Sequence, residues 1–448
     1  MTIPLLFLAL VLRLIFFNQS LWLDESIEAL ALMGRMGPIF SYALSDFQPP
    51  LYHLIGLAWT HLAGYSEIAL RVPSLLSGLL TVYFVIKLAR LLFGQRVSVI
   101  AGILAATNPL LIYYSQEGRT YAMTTFFVTA SFYFLFRLLK QQKSPRSLNL
   151  FYLLFTLGAL WTSYLAWVAI ALQGLYLLSN KKYQLFKLTL LSFLTLIFWF
   201  PSLLKSLGIG LSDAGQSPEW GRVVGGISLK AVALTWVKMV LGRISFTNSY
   251  FYAGLVALLA FLHALALKRI KRPLSRLHPL LWFWLASIPL IALIAFFIPI
   301  YSYFRLLFIV PAYLLILSVG LAKFSRPTFA FVIISSQLIF LAIFWFTPRF
   351  HREDWRTLTQ YLNTQSGLVA LPSLAQNPPL LYYNLKLPLI EPQTDLNYTS
   401  HTIYYLKYSE DLFDTEGLGR RNLLTNGYNI SHSITYNGLQ LDIYENTR

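Results

Sequence analysis

Apolar residues recur along the chain in long blocks broken by short polar connections. A spanning helix needs about 20 mostly apolar residues, and eleven blocks approach that length: 2–17, 71–90, 97–114, 121–139, 148–162, 163–179, 186–204, 249–267, 279–299, 304–321 and 327–346. The pair around Trp161 is short enough to form one long bent helix instead. The pattern changes at Thr347. HREDWRTLTQYL (351–362) places Trp355, Leu358 and Leu362 on one side of an amphipathic helix. Strand-like runs follow at 368–371, 402–408 and 438–444, separated by Gly, Pro, Asn and Asp.

Composition gives these blocks their meaning. Of 448 residues 56% are hydrophobic and 12% charged, against about 25% charged in soluble domains. So few charges cannot cover a soluble fold of this size, and the blocks are read as membrane spans. The chain contains no cysteine, which excludes a disulfide scaffold, an iron–sulfur site and Cys-bound zinc. No internal repeat or low-complexity stretch occurs.

Charge then assigns sides. Five connections are basic and contain no acid: Lys87/Arg90/Arg96, Arg137/Lys140/Lys143/Arg146, Lys181/Lys182/Lys187, Lys268/Arg269/Lys271/Arg272/Arg276 and Lys323/Arg326. All eight acids before Thr347 (Asp24, Glu25, Glu28, Asp46, Glu67, Glu117, Asp213 and Glu219) fall in the other connections. The positive-inside rule puts the basic connections in the cytoplasm and the acidic ones outside. Residues 51–63 look like a span, but a crossing there would invert every later connection, so they are read as an interfacial or re-entrant helix. Residues 223–241 are read as similarly outward. Residues 2–17 lack a basic n-region and a small-residue cleavage site, which favours an uncleaved span.

The expected architecture is thus a polytopic α-helical membrane protein with about eleven transmembrane helices and a small extracytoplasmic α/β domain. Residues 1–346 form the transmembrane module, with a first external loop at 18–70, and residues 347–448 the outer domain. Sequons at Asn18, Asn397 and Asn429 would face outward.

The candidate chemistry lies on the outer side. Asp24 and Glu25 open a helix directly after the first span; they suit its positive N-terminal end, or one serves as a base toward a hydroxyl. Gln48-Pro49-Pro50 forms an extended corner before His53. Glu67 and Arg71, four apart, suit an ion pair. In the tight connection SQEGRTYA (115–122), Glu117, Arg119 and Tyr121 stand at the bilayer edge, where ionisable groups are costly. Glu117 and Arg119 either pair with each other, or Arg119 binds a phosphate through its planar fork. Arg305, at the outer mouth of the 304–321 span and flanked by Tyr301 and Tyr303, either snorkels or contributes to that site. Ser163 and Tyr164 lie at the same level. Nucleotide-binding and metalloprotease motifs are absent, and the histidines lack metal-ligand spacing.

In their order along the chain, Asp24-Glu25 after LWL, QPPLYH, GYSEIALRVPS, SQEGRTYA, YSYFRLLFIVPAYLLILSVGL and the EDWR start of the tail resemble the GT-C superfamily of membrane glycosyltransferases. They are most similar to the family 39-like group, which includes protein O-mannosyltransferases and the lipid A aminoarabinose transferase. The likeness covers most of residues 1–356. It implies a GT-C fold in the plasma membrane, a polyprenyl-phosphate-linked sugar donor, and a lipid, glycan or protein acceptor hydroxyl on the outer face. It implies that Asp24 is the base of an inverting displacement, with Glu25 beside it, and that Arg119 and Arg305 lie near the donor phosphate. Glu117, Tyr121, Gln48, His53 and Tyr164 would support the site. Many relatives carry His at the position of Gln48 and His-Tyr at Ser163-Tyr164, departures that bear on the acceptor. No nucleotide or redox cofactor and no nucleic acid is implied, and a divalent metal is left open. The alternative reading is a transporter or flippase for a polar lipid, which would place ionisable groups at mid-depth in several spans.

Overall fold

The computed structural model describes residues 2–141, 145–216, 226–270, 278–395, 398 and 400–446. Lys143, Glu219, Lys271, Arg272, Arg276, Asn397 and the start of the 223–241 stretch lie outside the described residues, as does the side chain of Asp213.

Each of the eleven apolar blocks coincides with helix. Among the described residues, four helices are long and apolar enough to cross a membrane unaided: Glu67–Phe93, Thr120–Leu139, Ser249–Lys268 and Thr328–Phe346. Two bent pairs, at 95–115 and 183–208, raise that number to six. Thr2–Leu14, Tyr164–Ser179, Pro279–Ile294 and Leu307–Leu321 are apolar but shorter. The residues around Trp161 form two helices, since Ser163 is extended between Thr162 and Tyr164.

One of the bent pairs explains a buried charge. Helix Gln95–Thr107 turns by 55° into Pro109–Ser115. Pro109 has no N–H, so the carbonyl four residues back loses its helical donor. The fully buried Arg13 fills the gap. Its Nη2 lies 3.4 Å from Ala105 O, its Nη1 donates to Ala106 O and Ala9 O at 3.1 Å, and its Nε to Ser115 Oγ at 3.1 Å. Asn108 caps the second segment, its Oδ1 accepting from Leu111 N at 3.0 Å. The guanidinium therefore acts as a cap on a broken helix, and its charge is spread over peptide carbonyls.

Contacts link several of the basic connections. Arg96 Nη2 donates to Phe324 O at 2.7 Å, Arg269 lies 5.0 Å over the Phe324 ring, and Lys140 Nζ donates to Leu91 O. Four of the five basic connections are joined by these contacts. Helix Thr120–Leu139 has Arg119 before its first residue and Lys140 after its last. Its 20 residues correspond to about 30 Å, the thickness of a bilayer core.

The described chain divides into two compact units. One comprises Met1–Phe17, Ile39–Gly64 and Arg71–Phe346, the other Asn18–Pro38, Tyr65–Leu70 and Thr347–Arg448. Residues 18–38 and 65–70 are thus grouped with the tail. The second unit holds a five-stranded sheet in the order β2-β1-β3-β5-β4, with β1 at Leu368–Ala370, β2 at Leu389–Ile390, β3 at Thr402–Lys407, β4 at Tyr428–Tyr436 and β5 at Leu439–Asn446. β1 pairs in parallel with β2 and β3, while β5 runs antiparallel to β3 and β4. Trp355, Leu358 and Leu362 of helix Trp355–Leu362 are fully buried against Val369, Leu406 and Leu441, the face the alternation predicts.

Tail residues grip residues 18–38 and 65–70 within this unit. Tyr383 OH accepts from Leu21 N at 2.8 Å and donates to Glu67 Oε1 at 3.1 Å. Tyr382 OH donates to Tyr65 O at 2.7 Å, and Arg356 pairs with Glu67 at 2.8 Å. Glu67 is thus held by the tail, while in the first unit Arg71 Nη1 donates to Phe17 O at 3.0 Å.

In the first unit, Gly320 lets two helices meet at backbone distance. A Cβ there would stand 2.2 Å from Ala266 O, and small residues allow such close crossings. Gly320→Ala is expected to lower the thermal midpoint of the detergent-solubilised protein. A midpoint equal to wild type would show that the crossing tolerates a methyl group.

Candidate active site

The corner predicted at 115–122 joins Pro109–Ser115 to Thr120–Leu139. Gln116 ties it to the end of the first helix, its Nε2 donating to Arg13 O at 2.8 Å and Ile15 O at 2.7 Å. Arg119 is extended at the N-cap position, its N–H bonded to Glu117 O at 2.8 Å and its carbonyl accepting from Ser74 Oγ at 3.3 Å. Glu117 and Arg119 are 1% and 7% exposed. Such burial demands partners. Arg119 Nη2 pairs with Asp46 Oδ1 at 2.7 Å, and Nη1 lies 3.4 Å from Tyr42 OH. Asp46 Oδ2 is in turn 3.6 Å from His53 Nε2, and the His53 ring meets Tyr42 edge-on at 5.1 Å. The helices flanking Gln48-Pro49-Pro50 thus deliver Tyr42, Asp46 and His53 to the guanidinium. Gln48 Oε1 is buried with no hydrogen bond among the described residues. Asp46 and His53 are donor types that a divalent cation takes.

An aromatic wall adjoins the same corner. Tyr121 stacks edge-on against Tyr114 and Phe304, each at 5.2 Å. Arg305 lies 5.8 Å over Phe304, with Nη1 3.5 Å from Pro299 O. Arg243, given no role by the sequence reading, belongs to this wall. Its guanidinium sits 4.8 Å over Tyr113 and 3.4 Å from Tyr114 OH, and the residue is exposed. No local signal singled it out, since Lys205, Lys230 and Lys238 lie in the same stretch. Lys238 holds the Arg243 turn, its Nζ donating to Ile244 O at 2.9 Å and Arg243 O at 3.3 Å. Burial and the adjacent Arg243 charge push Lys238 down to about 8. Tyr164 stands apart, accepting from Trp199 Nε1 at 2.9 Å.

The predicted acids belong to the second unit. Asp24 and Glu25 occupy the first turn of helix Leu23–Leu32 with Trp22 as N-cap, so neither is the cap itself. Glu25 is 2% exposed and pairs with Arg352, Nε to Oε2 at 3.5 Å, whereas Asp24 is half-buried. The two acids therefore have different surroundings. Tyr408 also belongs here: burial, then Glu353 and Asp24, raise its phenol above the ordinary value. Nothing in the local sequence marked Arg352 or Tyr408 as neighbours of these acids, because the contacts link distant segments.

Residues 47–204 match the family model of the dolichyl-phosphate-mannose-protein mannosyltransferases. The chain is similar to the crystal structure of ArnT from Cupriavidus metallidurans bound to undecaprenyl phosphate: TM-score 0.57 and 12% identity, covering 98% of this chain and 97% of that one. It is also similar to the Archaeoglobus fulgidus oligosaccharyltransferase in complex with Zn and sulfate, with TM-score 0.55 and 15% identity over 99% of this chain and 73% of that one. The fold is that of the GT-C superfamily. No curated protein matches the chain by sequence. At these identities the structural likeness concerns the GT-C fold alone. The matched segment contains Gln48, His53, Glu117, Arg119, Tyr121 and Tyr164, while Asp24, Arg243, Arg305 and the tail lie outside it.

Lys238 yields a pH test. Its folded pKa of about 8 lies below the ordinary lysine value of 10.5, so between those values the unfolded chain binds more protons and stability rises with pH. The thermal midpoint of wild type minus that of Lys238→Met is expected to grow from pH 7 to pH 10. A difference that stays flat would show an ordinary lysine.

Proposed function

We propose that this GT-C protein transfers a sugar from a polyprenyl-phosphate donor to an acceptor hydroxyl at the outer face of the plasma membrane, with inversion. The observation that carries this reading is the guanidinium set of the first unit. Arg119 is fixed by Asp46, and Arg243 and Arg305 lie over an aromatic wall that includes Tyr121 of the Arg119 corner. Planar cations held by ring faces and a carboxylate suit phosphate oxygens. The ArnT structure of this fold carries undecaprenyl phosphate, which supports a phosphate of that kind as the leaving group here.

The proposed step is a single displacement. The acceptor oxygen forms a bond to the anomeric carbon as the bond from that carbon to the phosphate oxygen breaks. The hydroxyl proton passes to Asp24, and the polyprenyl phosphate leaves with the bonding pair. Guanidiniums stabilise the charge that develops on its oxygens. Of the adjacent acids, Asp24 is the better base, since Glu25 is buried against Arg352. Its position directly after the first outward span supports this role. Arg13, a charged residue within a span, caps broken helix carbonyls, which speaks for a structural charge rather than a transport path.

The test uses purified protein and a panel of polyprenyl-phosphate sugars. Asp24→Asn is expected to lower kcat by about 10²- to 10⁴-fold, the usual worth of a general base, while still binding polyprenyl phosphate. Arg119→Ala and Arg243→Ala are each expected to raise the donor KM about 10- to 100-fold, the loss of one charged hydrogen bond. Transfer at the wild-type rate by Asp24→Asn would remove the proposed base. Donor-independent flipping of a polar lipid without transfer would favour a transporter.

A further inference from the structure

We propose that Arg352, at the entrance to the C-terminal α/β unit, is a positioning residue for the reaction, so that the tail helps build the catalytic acid site. The inference rests on the reading of Asp24 as base.

Adjacent residues of a helix project about 100° apart. In Leu23–Leu32 this sends Glu25 inward, 2% exposed, and leaves Asp24 on a half-buried flank. The direction of Asp24 is therefore set by whatever holds Glu25. A buried carboxylate is strongly unfavourable without its cation, and Arg352 supplies one, with Nε 3.5 Å from Glu25 Oε2. The arginine is itself held on several sides. Its N–H donates to Gln19 Oε1 at 2.9 Å, its carbonyl accepts from Asn437 Nδ2 at 2.8 Å, and its guanidinium lies 5.9 Å over the Trp22 ring. Asp354 N–H donates to Asn437 O at 2.9 Å.

Asn437 and Gly438 form the turn between β4 and β5. Gly438 has φ +71°, and a Cβ there would stand 2.9 Å from Glu353 Cγ. The hairpin turn is thus pressed against the segment that carries Arg352. A continuous set of contacts runs from the turn through Arg352 to Glu25 and to the backbone of Asp24.

This arrangement is electrostatic as well as steric. Within its unit Asp24 has Glu25 and Glu28 on its own helix, and Arg352, Glu353 and Tyr408 from the tail. Tyr408 lies edge-on to Trp355 at 5.0 Å and responds to both Glu353 and Asp24. Arg352 is the cation among these acids. Removing it leaves like charges facing one another, which favours protonation of the acid that must be ionised to act.

The full-length protein with a polyprenyl-phosphate sugar donor provides the test, through kcat, donor KM and the pH dependence of kcat/KM. Arg352→Met is expected to lower kcat at least tenfold with donor KM within twofold, and to move the acid limb to higher pH. Adding Glu25→Gln to Arg352→Met restores the local charge and is expected to return the limb toward its wild-type position. A purely structural role would reduce the amount of folded protein and leave the limb in place. Should Arg352→Met not fold, Asn437→Ala decides: a severalfold lower kcat at unchanged donor KM supports the inference, and wild-type kcat overturns it. Folded Arg352→Met with a wild-type kcat and limb also overturns it. Asp24→Asn separates the two ideas, because an active Asp24→Asn defeats the base assignment, whereas an inactive one beside a normal Arg352→Met defeats only the role of Arg352.

Discussion

A charge withdrawn from water must be answered by an opposite charge or by oriented dipoles, and this chain has few charges with which to do it. With 12% charged residues in 448, each buried ionic group constrains the fold around it. Arg13 is answered by the carbonyls that Pro109 leaves open. Arg119 is answered by Asp46, and Glu25 by Arg352. In each case the partner comes from a distant segment, so the ionic contact also fixes the tertiary arrangement. Breaking a buried pair strands a charge, which is typically more harmful than never having had one.

Much of the helical framework was legible from hydrophobic blocks, because a run of apolar residues long enough to span must be helical to satisfy its own backbone. The burial of Trp355, Leu358 and Leu362 followed from helical spacing for the same local reason. The sheet was legible in part. β1, β3 and β5 read as strands, whereas β2 is two residues long and β4 is mostly exposed and polar. The Asn437-Gly438 pair was the available signal for the β4–β5 hairpin. Its weight in the structure comes from contacts to Arg352 that no local pattern encodes.

Candidate site residues stood out in the sequence where chemistry is local. Asp24-Glu25 and Arg119 stood out through scarcity, since acids and bases at a lipid boundary are costly. Their partners did not. Asp46 counted only as an outward acid, yet it is the group that fixes Arg119. Glu67 stood out by its spacing to Arg71, whereas its tail partners Arg356 and Tyr383 had no local signal. An i,i+4 spacing carries only a few tenths of a kcal/mol, so it says little about which tertiary partners a side chain finds. The same reasoning accounts for the grouping of residues 18–38 and 65–70 with the tail.

The central claim is that the carboxylates after the first span and the Arg119 corner face one aqueous compartment, away from the basic connections. The natural chain has no cysteine, so single-cysteine variants at positions 24, 119 and 140 report sidedness without background. In oriented membranes an impermeant maleimide is expected to label positions 24 and 119 from outside and position 140 only after permeabilisation. Labelling of positions 24 and 119 from opposite compartments would contradict the account.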